Sequence, residues 1–194
     1  AGKGALAISG DHLYAAWKTT NPNELANSAS DPEFAFKRGG CVDLMLGSIA
    51  NRPDGQPLAG DMRLLIYQAN GKNMAVLYRQ IAQGKPLGKP VLFESPIGKV
   101  QFADVAVVTD QIQIAQSGGN VEISVPLALL NINPRNGEKK IGDLGILRGD
   151  GVQTVQRTYW NNLDSAMVSD IPTEARLSPT RWGEWTIGTT PAKK

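Results

Sequence analysis

One cysteine and one histidine in 194 residues remove most of the chemistry that a chain of this size could carry. With Cys41 alone there is no intrachain disulfide framework and no cysteine-based metal cluster. With His12 alone there is no second histidine for a zinc site, and a Ser-His-Asp triad would have to be built on a turn residue beside Asp11. No apolar run approaches the roughly twenty residues that a membrane-spanning helix needs, so no membrane insertion is expected. Twenty Lys and Arg against eighteen Asp and Glu give a net charge of +2, and beyond Lys139-Lys140 and Lys193-Lys194 the cations are scattered. Nothing in that pattern forms a stripe for nucleic acid. No signal peptide is visible; a start at Ala1 without methionine fits a mature chain or an excised fragment, so this absence excludes nothing about export. Also missing are any long segment of 3.6-residue period and any internal repeat of about 20 to 50 residues.

What the chain does contain is short apolar segments separated by turn chemistry. Leu6 to Ile8 and His12 to Thr19 read as paired strands joined at Ser9-Gly10-Asp11, with Leu13, Ala15 and Trp17 on the core face. Gly39-Gly40 opens CVDLMLG, and MRLLIYQ and NMAVLYR flank Asn70-Gly71, a strong hairpin signal. Val105 to Val108 and Ile112 to Ala115 read as a second hairpin about Thr109-Asp110-Gln111. Val121 to Val125 is a further strand ended by Pro126, and Leu127 to Leu130 suits one helical turn. The tracts Asn21 to Arg38, Asn51 to Gly60, Gly84 to Gly98 and Asn131 to Lys140 read as loops or connections. Leu144 to Leu147, Gln153 to Trp160 and Trp182 to Ile187 complete about ten strands, with the turn Gly149 to Gly151 between the first two. Their spacing predicts an all-β fold, an antiparallel two-sheet β-sandwich, as a single domain over residues 1–194.

Two charged residues stand in mid-strand. Asp43 shares a face with Cys41 and Met45, opposite Val42, Leu44 and Leu46; Arg63 shares a face with Leu65 and Tyr67. Burying an unpaired carboxylate is very costly, so Asp43 either meets water or finds a partner, and Arg63 on the next strand is the expected one. A second concentration lies in the C-terminal third, which holds three of the four tryptophans. There Arg148, Asp150, Arg157, Tyr159, Trp160 and Asn161 crowd about one strand end. Flat aromatics beside Arg, Asp and Asn suit a sugar, whose C–H faces stack and whose hydroxyls take paired hydrogen bonds. Closing a sandwich edge would use the same residues. A glycoside hydrolase would need two carboxyl groups about 5 to 10 Å apart. Asp143, Asp150, Asp164, Asp170 and Glu174 occur at background density, so no enzyme and no catalytic residue are expected.

In the order LYAAW, GGCVDLMLG, GDMRLLIY, VEISVPLALL, IGDLGIL, RTYWNN and WGEW, the chain resembles the DOMON-like domains related to family 9 carbohydrate-binding modules over nearly its whole length. The resemblance implies a jelly-roll or immunoglobulin-like sandwich, often appended to secreted bacterial proteins, with members that bind sugars or, in another branch, haem. Sugar-binding members place an acid on the strand matching CVDLML and an Arg on the strand matching DMRLLIY, where Asp43 and Arg63 stand. The two tryptophans that sandwich the sugar in the best-known branch match positions near Lys37 and Val168, so that clamp does not carry over. Trp160 matches a family aromatic that precedes the second clamp residue and is structural there. The haem branch uses a Met and a His, and His12 does not stand at the family's His position.

The expectation is a non-catalytic carbohydrate-binding module of a secreted bacterial protein, extracellular or periplasmic and part of a larger multidomain chain. Its partner would be a polysaccharide or oligosaccharide in a groove on one sheet, with Asp43, Arg63, Tyr67, Arg148, Asp150, Tyr159, Trp160 and Asn161 as carbohydrate-binding residues. No cofactor is expected except a structural Ca²⁺, for which Glu24, Asn27 and Asp31, or the loop Asn161 to Asp170, could donate oxygens without EF-hand spacing. The alternative is a structural or protein-interaction module without a sugar ligand. That reading predicts Trp160 and Trp182 buried and no groove, and an Asp43–Arg63 pair sealed beneath a closed loop would overturn the sugar reading of that pair.

Overall fold

A computed structural model describes residues 2–48, 55–164 and 170–188. Among them the strands are β1 (Lys3–Ser9), β2 (His12–Lys18), β3 (Cys41–Leu46), β4 (Met62–Ala69), β5 (Lys72–Arg79) and β6 (Lys89–Ser95). They continue as β7 (Gly98–Val107), β8 (Gln113–Ser117), β9 (Asn120–Pro126), β10 (Lys139–Gly149), β11 (Thr154–Tyr159) and β12 (Gly183–Thr186). Two short helices, α1 (Leu127–Leu130) and α2 (Ile171–Ala175), and three 3-10 turns complete the elements. One sheet runs β1-β2-β9-β8, and the larger runs β11-β10-β3-β4-β5-β7-β6, with β12 also on the outer edge of β10. Every ladder is antiparallel, so the predicted two-sheet β-sandwich is the observed one.

Alternation builds the interior. Leu13, Ala15 and Trp17 of β2 meet Val42, Leu44 and Leu46 of β3 and Leu64 and Ile66 of β4 between the sheets. The other face of the large sheet is also covered. Asn21 to Arg38 and the chain from Asp170 to Trp182 fold across it, and Phe36, Tyr78, Phe93 and Phe102 pack edge to face beneath them. As a result all six residues of β3 are buried. The excursion 21–38 is held as a strand substitute: Leu25 O accepts from Gln68 N, and Asn27 N donates to Gln68 O.

Three connections differ from the sequence reading. Thr109 to Gln111 does not close a hairpin, because β7 lies in the large sheet and β8 in the small one. It is the crossover between sheets, and its apolar flanks look like a hairpin only because both enter the same core. Lys89 to Ser95, inside the tract read as a connection, is an edge strand. Pro90 is tolerated there because an edge strand has one side free of ladder bonds, and the register shifts at that point. β10 extends over eleven residues rather than four, since Gly142, Gly145 and Gly149 interrupt its apolar pattern without ending the strand. The hairpin at Asn70-Gly71 forms as expected, with both residues at positive φ.

Because Leu44 is fully buried in the inter-sheet cluster, Leu44→Ala should cost about 2 to 5 kcal/mol in urea unfolding. Ile97→Ala, at a residue 81% exposed, should stay within about 0.5 kcal/mol.

Candidate functional site

The ladder sets Asp43 opposite Leu65 and Met45 opposite Arg63, so the acid and the guanidinium are diagonal neighbours on one face. Arg63 Nε donates to Asp43 Oδ1 at 3.1 Å. Nη2 lies 2.7 Å from Oδ2 with its N–H off the bond line, so Nε carries the directed bond. On the other side of β3, Gly145 of β10 stands opposite Asp43 and opposite Tyr159 of β11. A Cβ at Gly145 would overlap the tyrosine ring, and its lack lets Tyr159 reach across and donate its hydroxyl to Asp43 Oδ2 at 2.8 Å.

The cover completes the cluster. Asp170 caps α2 by accepting from Thr173 N, and Pro172 occupies its first turn. This brings Glu174 O to 3.2 Å from Arg63 Nη1. The Glu174 carboxylate lies between Arg157 Nη2 and Lys37 Nζ, the latter at 3.0 Å. Phe36 sits under both guanidinium groups, 5.2 Å from Arg63 Cζ and 5.9 Å from Arg157 Cζ. Burial alone would lower the pKa of Arg63, but the Asp43 charge and hydrogen bond outweigh it and the net shift is upward. Burial pushes the Tyr159 hydroxyl up, and the adjacent Asp43 charge pushes it further. The cluster is therefore a fixed-charge brace, with Asp43 0% and Arg63 1% exposed.

Beside this brace lies a cleft of about 320 Å³. Met45, Tyr159 and Trp182 line it with Arg157, Arg176, Arg181, Asn162, Asp164 and Thr173. Asp143 shapes its edge by accepting from Leu144 N, Asn161 N and Asn162 N at 2.9 to 3.0 Å. Burial raises the pKa of Asp143 against the pull of those bonds. Arg181 pairs with Asp164 at 2.6 Å beside it.

The eight residues expected to meet a sugar do not form one constellation. Asp43, Arg63 and Tyr159 come together, but as the brace, sealed by α2. Tyr67 is buried under the excursion 21–38, where burial first and the Asp31 charge second push its hydroxyl up to about 12. Asn161 stands at the cleft margin, and its Nδ2 donates to Arg181 O at 3.0 Å. Trp160 follows Tyr159, so strand alternation sends it to the opposite face. Its ring rests on Gly183, and it lines a separate hollow of about 360 Å³ with Trp17 and Leu144. It is 59% exposed, whereas Trp182 is 7% exposed. Arg148 is directed toward Thr20 and Glu24, and Asp150 caps its own turn through Val152 N and Gln153 N. Those two bonds hold the Asp150 carboxyl below its usual range.

Sequence reasoning missed Glu174, Trp182, Arg176, Arg181 and Asn162. The string Asp170-Ile-Pro-Thr-Glu, an N-cap followed by Pro in the first turn, was the available signal for the first of these. Of the oxygens considered for Ca²⁺, Asn27 Oδ1 accepts from Ala29 N and Asp31 Oδ1 from Glu33 N. Glu24 is 1% exposed with neither carboxylate oxygen hydrogen-bonded, because the Thr19 hydroxyl donates to Asn21 O. Among the described residues no three His, Cys, Asp or Glu side chains converge. The loop Asn161 to Asp170 is described only to Asp164 and at Asp170, and the clamp position near Val168 lies outside the described residues. Lys37, the other clamp position, is tied to Glu174.

No protein-family model matches the chain, and no curated protein sequence matches it. Two solved structures share its architecture. A Bacteroides uniformis protein proposed to bind carbohydrate superposes with a TM-score of 0.52 at 11% identity, over 95% of this chain and 77% of that one. A family 9 carbohydrate-binding module of Caldicellulosiruptor kristjanssonii, solved with glucose, gives 0.50 at 13% identity, over 99% and 79%. At these identities the likeness is one of fold.

Arg63→Ala would strand the Asp43 carboxylate in the interior, so the expected cost is about 3 to 5 kcal/mol of stability, read by thermal and urea unfolding. The double change Asp43→Leu with Arg63→Met should recover most of the loss; a double variant no more stable than Arg63→Ala would refute the pairing account. Glu24 supplies a pH prediction. Burial raises its pKa, and the nearby Arg148 only partly offsets this. The folded state then holds the proton at higher pH than the unfolded one. The resulting stabilisation is complete below the ordinary glutamate pKa and is lost as pH rises through the raised value. Glu24→Gln should exceed the parent protein in stability at neutral pH and flatten that slope, measured by urea unfolding across the weakly acidic range.

Proposed function

We propose that this protein is a non-catalytic saccharide-binding module whose ligand lies in the cleft between the α2–Trp182 segment and the end of β11. The observation that carries the reading is the make-up of that cleft. Apolar and aromatic side chains of Met45, Tyr159 and Trp182 line it beside guanidinium, amide, carboxylate and hydroxyl groups. A sugar ring needs such a combination, a surface for its C–H groups and convergent donors and acceptors for its hydroxyls. The fold shared with two proteins connected to carbohydrate binding supports the reading. The groups already positioned act without a cofactor, and the module would serve within a larger exported multidomain protein, as the sequence resemblance implies.

The alternative, a structural or protein-interaction module, is favoured by the sealed Asp43–Arg63 pair, which removes those two residues as sugar contacts, and by the buried Trp182, while the exposed Trp160 and the open cleft go against it. A glycan array followed by calorimetry separates the two. Arg181 lines the cleft with its side chain 46% exposed. Arg181→Ala should weaken saccharide binding about ten- to a hundred-fold while leaving the melting temperature close to that of the parent protein. If no glycan binds the folded protein at millimolar concentration, the saccharide reading fails and the structural one stands.

A further inference from the structure

We propose that the saccharide taken by this cleft is acidic, a chain of uronic-acid type whose carboxylates are held by arginine; this rests on the reading of the cleft as a saccharide site. Arg176, Ser178 and Arg181 of the cleft also line a second hollow of about 490 Å³, with Gln80, Lys99 and Gln101. The two hollows share this wall.

Most charges about the shared wall are already met, and Arg176 is not. The Glu174 carboxylate is 2% exposed and already shared by Arg157 and Lys37, so it neutralises nothing else. Asp164 is committed to Arg181. Lys99 has Glu94 opposite it in the β6–β7 ladder. Arg176 is exposed at the wall common to both hollows, and no carboxylate among the described residues pairs with it. Three guanidinium groups (Arg157, Arg176 and Arg181) line the cleft against two carboxylates (Asp164 and Glu174), with Asp143 held by backbone amides at the edge, and Arg176 is the cation that no carboxylate meets among the described residues.

The chemistry of the excess points to a carboxylate. A guanidinium is a planar fork that matches a carboxylate in two parallel hydrogen bonds, and three such groups line one cleft here. The aromatic side chains of Tyr159 and Trp182 suit a sugar ring and would be idle beside an inorganic anion. A nucleic-acid strand would need a basic stripe, which a chain of net charge +2 with scattered cations does not supply.

The decisive comparison uses a uronic-acid oligosaccharide and its carboxyl-reduced neutral counterpart of equal length, titrated calorimetrically into the parent protein and into Arg176→Ala at low and high salt. The acidic oligomer should bind the parent protein about tenfold more tightly than the neutral one, and high salt should shrink that margin. Arg176→Ala should remove most of the margin, weakening the acidic oligomer by a larger factor than the neutral one, with an unaltered melting temperature. Equal or tighter binding of the neutral oligomer would overturn the acidic specificity while the saccharide reading survived. Failure of both oligomers to bind the folded protein would overturn the two together.

Discussion

Burying Arg63 dictates much of what covers the large sheet. A guanidinium removed from water must have its donors met, or the desolvation cost, several kcal/mol per ion, goes uncompensated. Asp43 meets one edge from the neighbouring strand. The remaining edge cannot be met from the sheet, whose own carbonyls are committed to ladder bonds; it is met by Glu174 O at the end of α2. The guanidinium face needs a flat apolar partner, and Phe36 supplies it from the 3-10 turn Pro32–Lys37. Two segments far apart in sequence are thereby called to one point. Each carries its own aspartate cap, Asp31 and Asp170, so each arrives as a preformed turn. Drawing α2 in also buries the Glu174 carboxylate, which then requires Arg157 and Lys37. One buried charge leads to the next until the network reaches solvent.

That network sets the position of the cleft. An uncovered sheet face would expose Asp43 and Arg63 directly. With α2 and the 3-10 turn seated on them, the open surface is displaced to the margin, where Arg157 leaves the network and Tyr159 shows the side of its ring. The lining is consequently rigid: Tyr159 is fixed by Asp43 and by the space that Gly145 leaves, and the edge at Asn161 and Asn162 is fixed by Asp143. Preorganised polar groups lose little side-chain entropy on binding, which is the main way a small site reaches useful affinity.

The parts of this arrangement legible in the sequence were those governed by period and turn chemistry. Alternation in CVDLML and MRLLIYQ located the charged pair, and Asn70-Gly71 located the hairpin between β4 and β5. The cover was not legible, because Phe34, Phe36, Leu177 and Trp182 lie in irregular segments where apolar residues follow no period. Without the cover, Asp43, Arg63 and Tyr67 looked like an open surface. Parity was available for Trp160 and was overridden by its proximity to Tyr159 in the sequence; adjacent strand residues face opposite ways, so the Tyr159 hydroxyl reaches Asp43 while the Trp160 ring rests on Gly183. Arg176, Arg181 and Asn162 carry no local signal, since what makes them neighbours is the return of the chain through α2 to β12.

The Lys37–Glu174 pair sets the last constraint on this face. Lys37 reaches from the 3-10 turn to a carboxylate on α2, so the two covering segments are joined by charge as well as by packing. The pair closes the centre of the face, and the open surface therefore lies to its side, where Arg176 and Arg181 line the cleft with Met45, Tyr159 and Trp182.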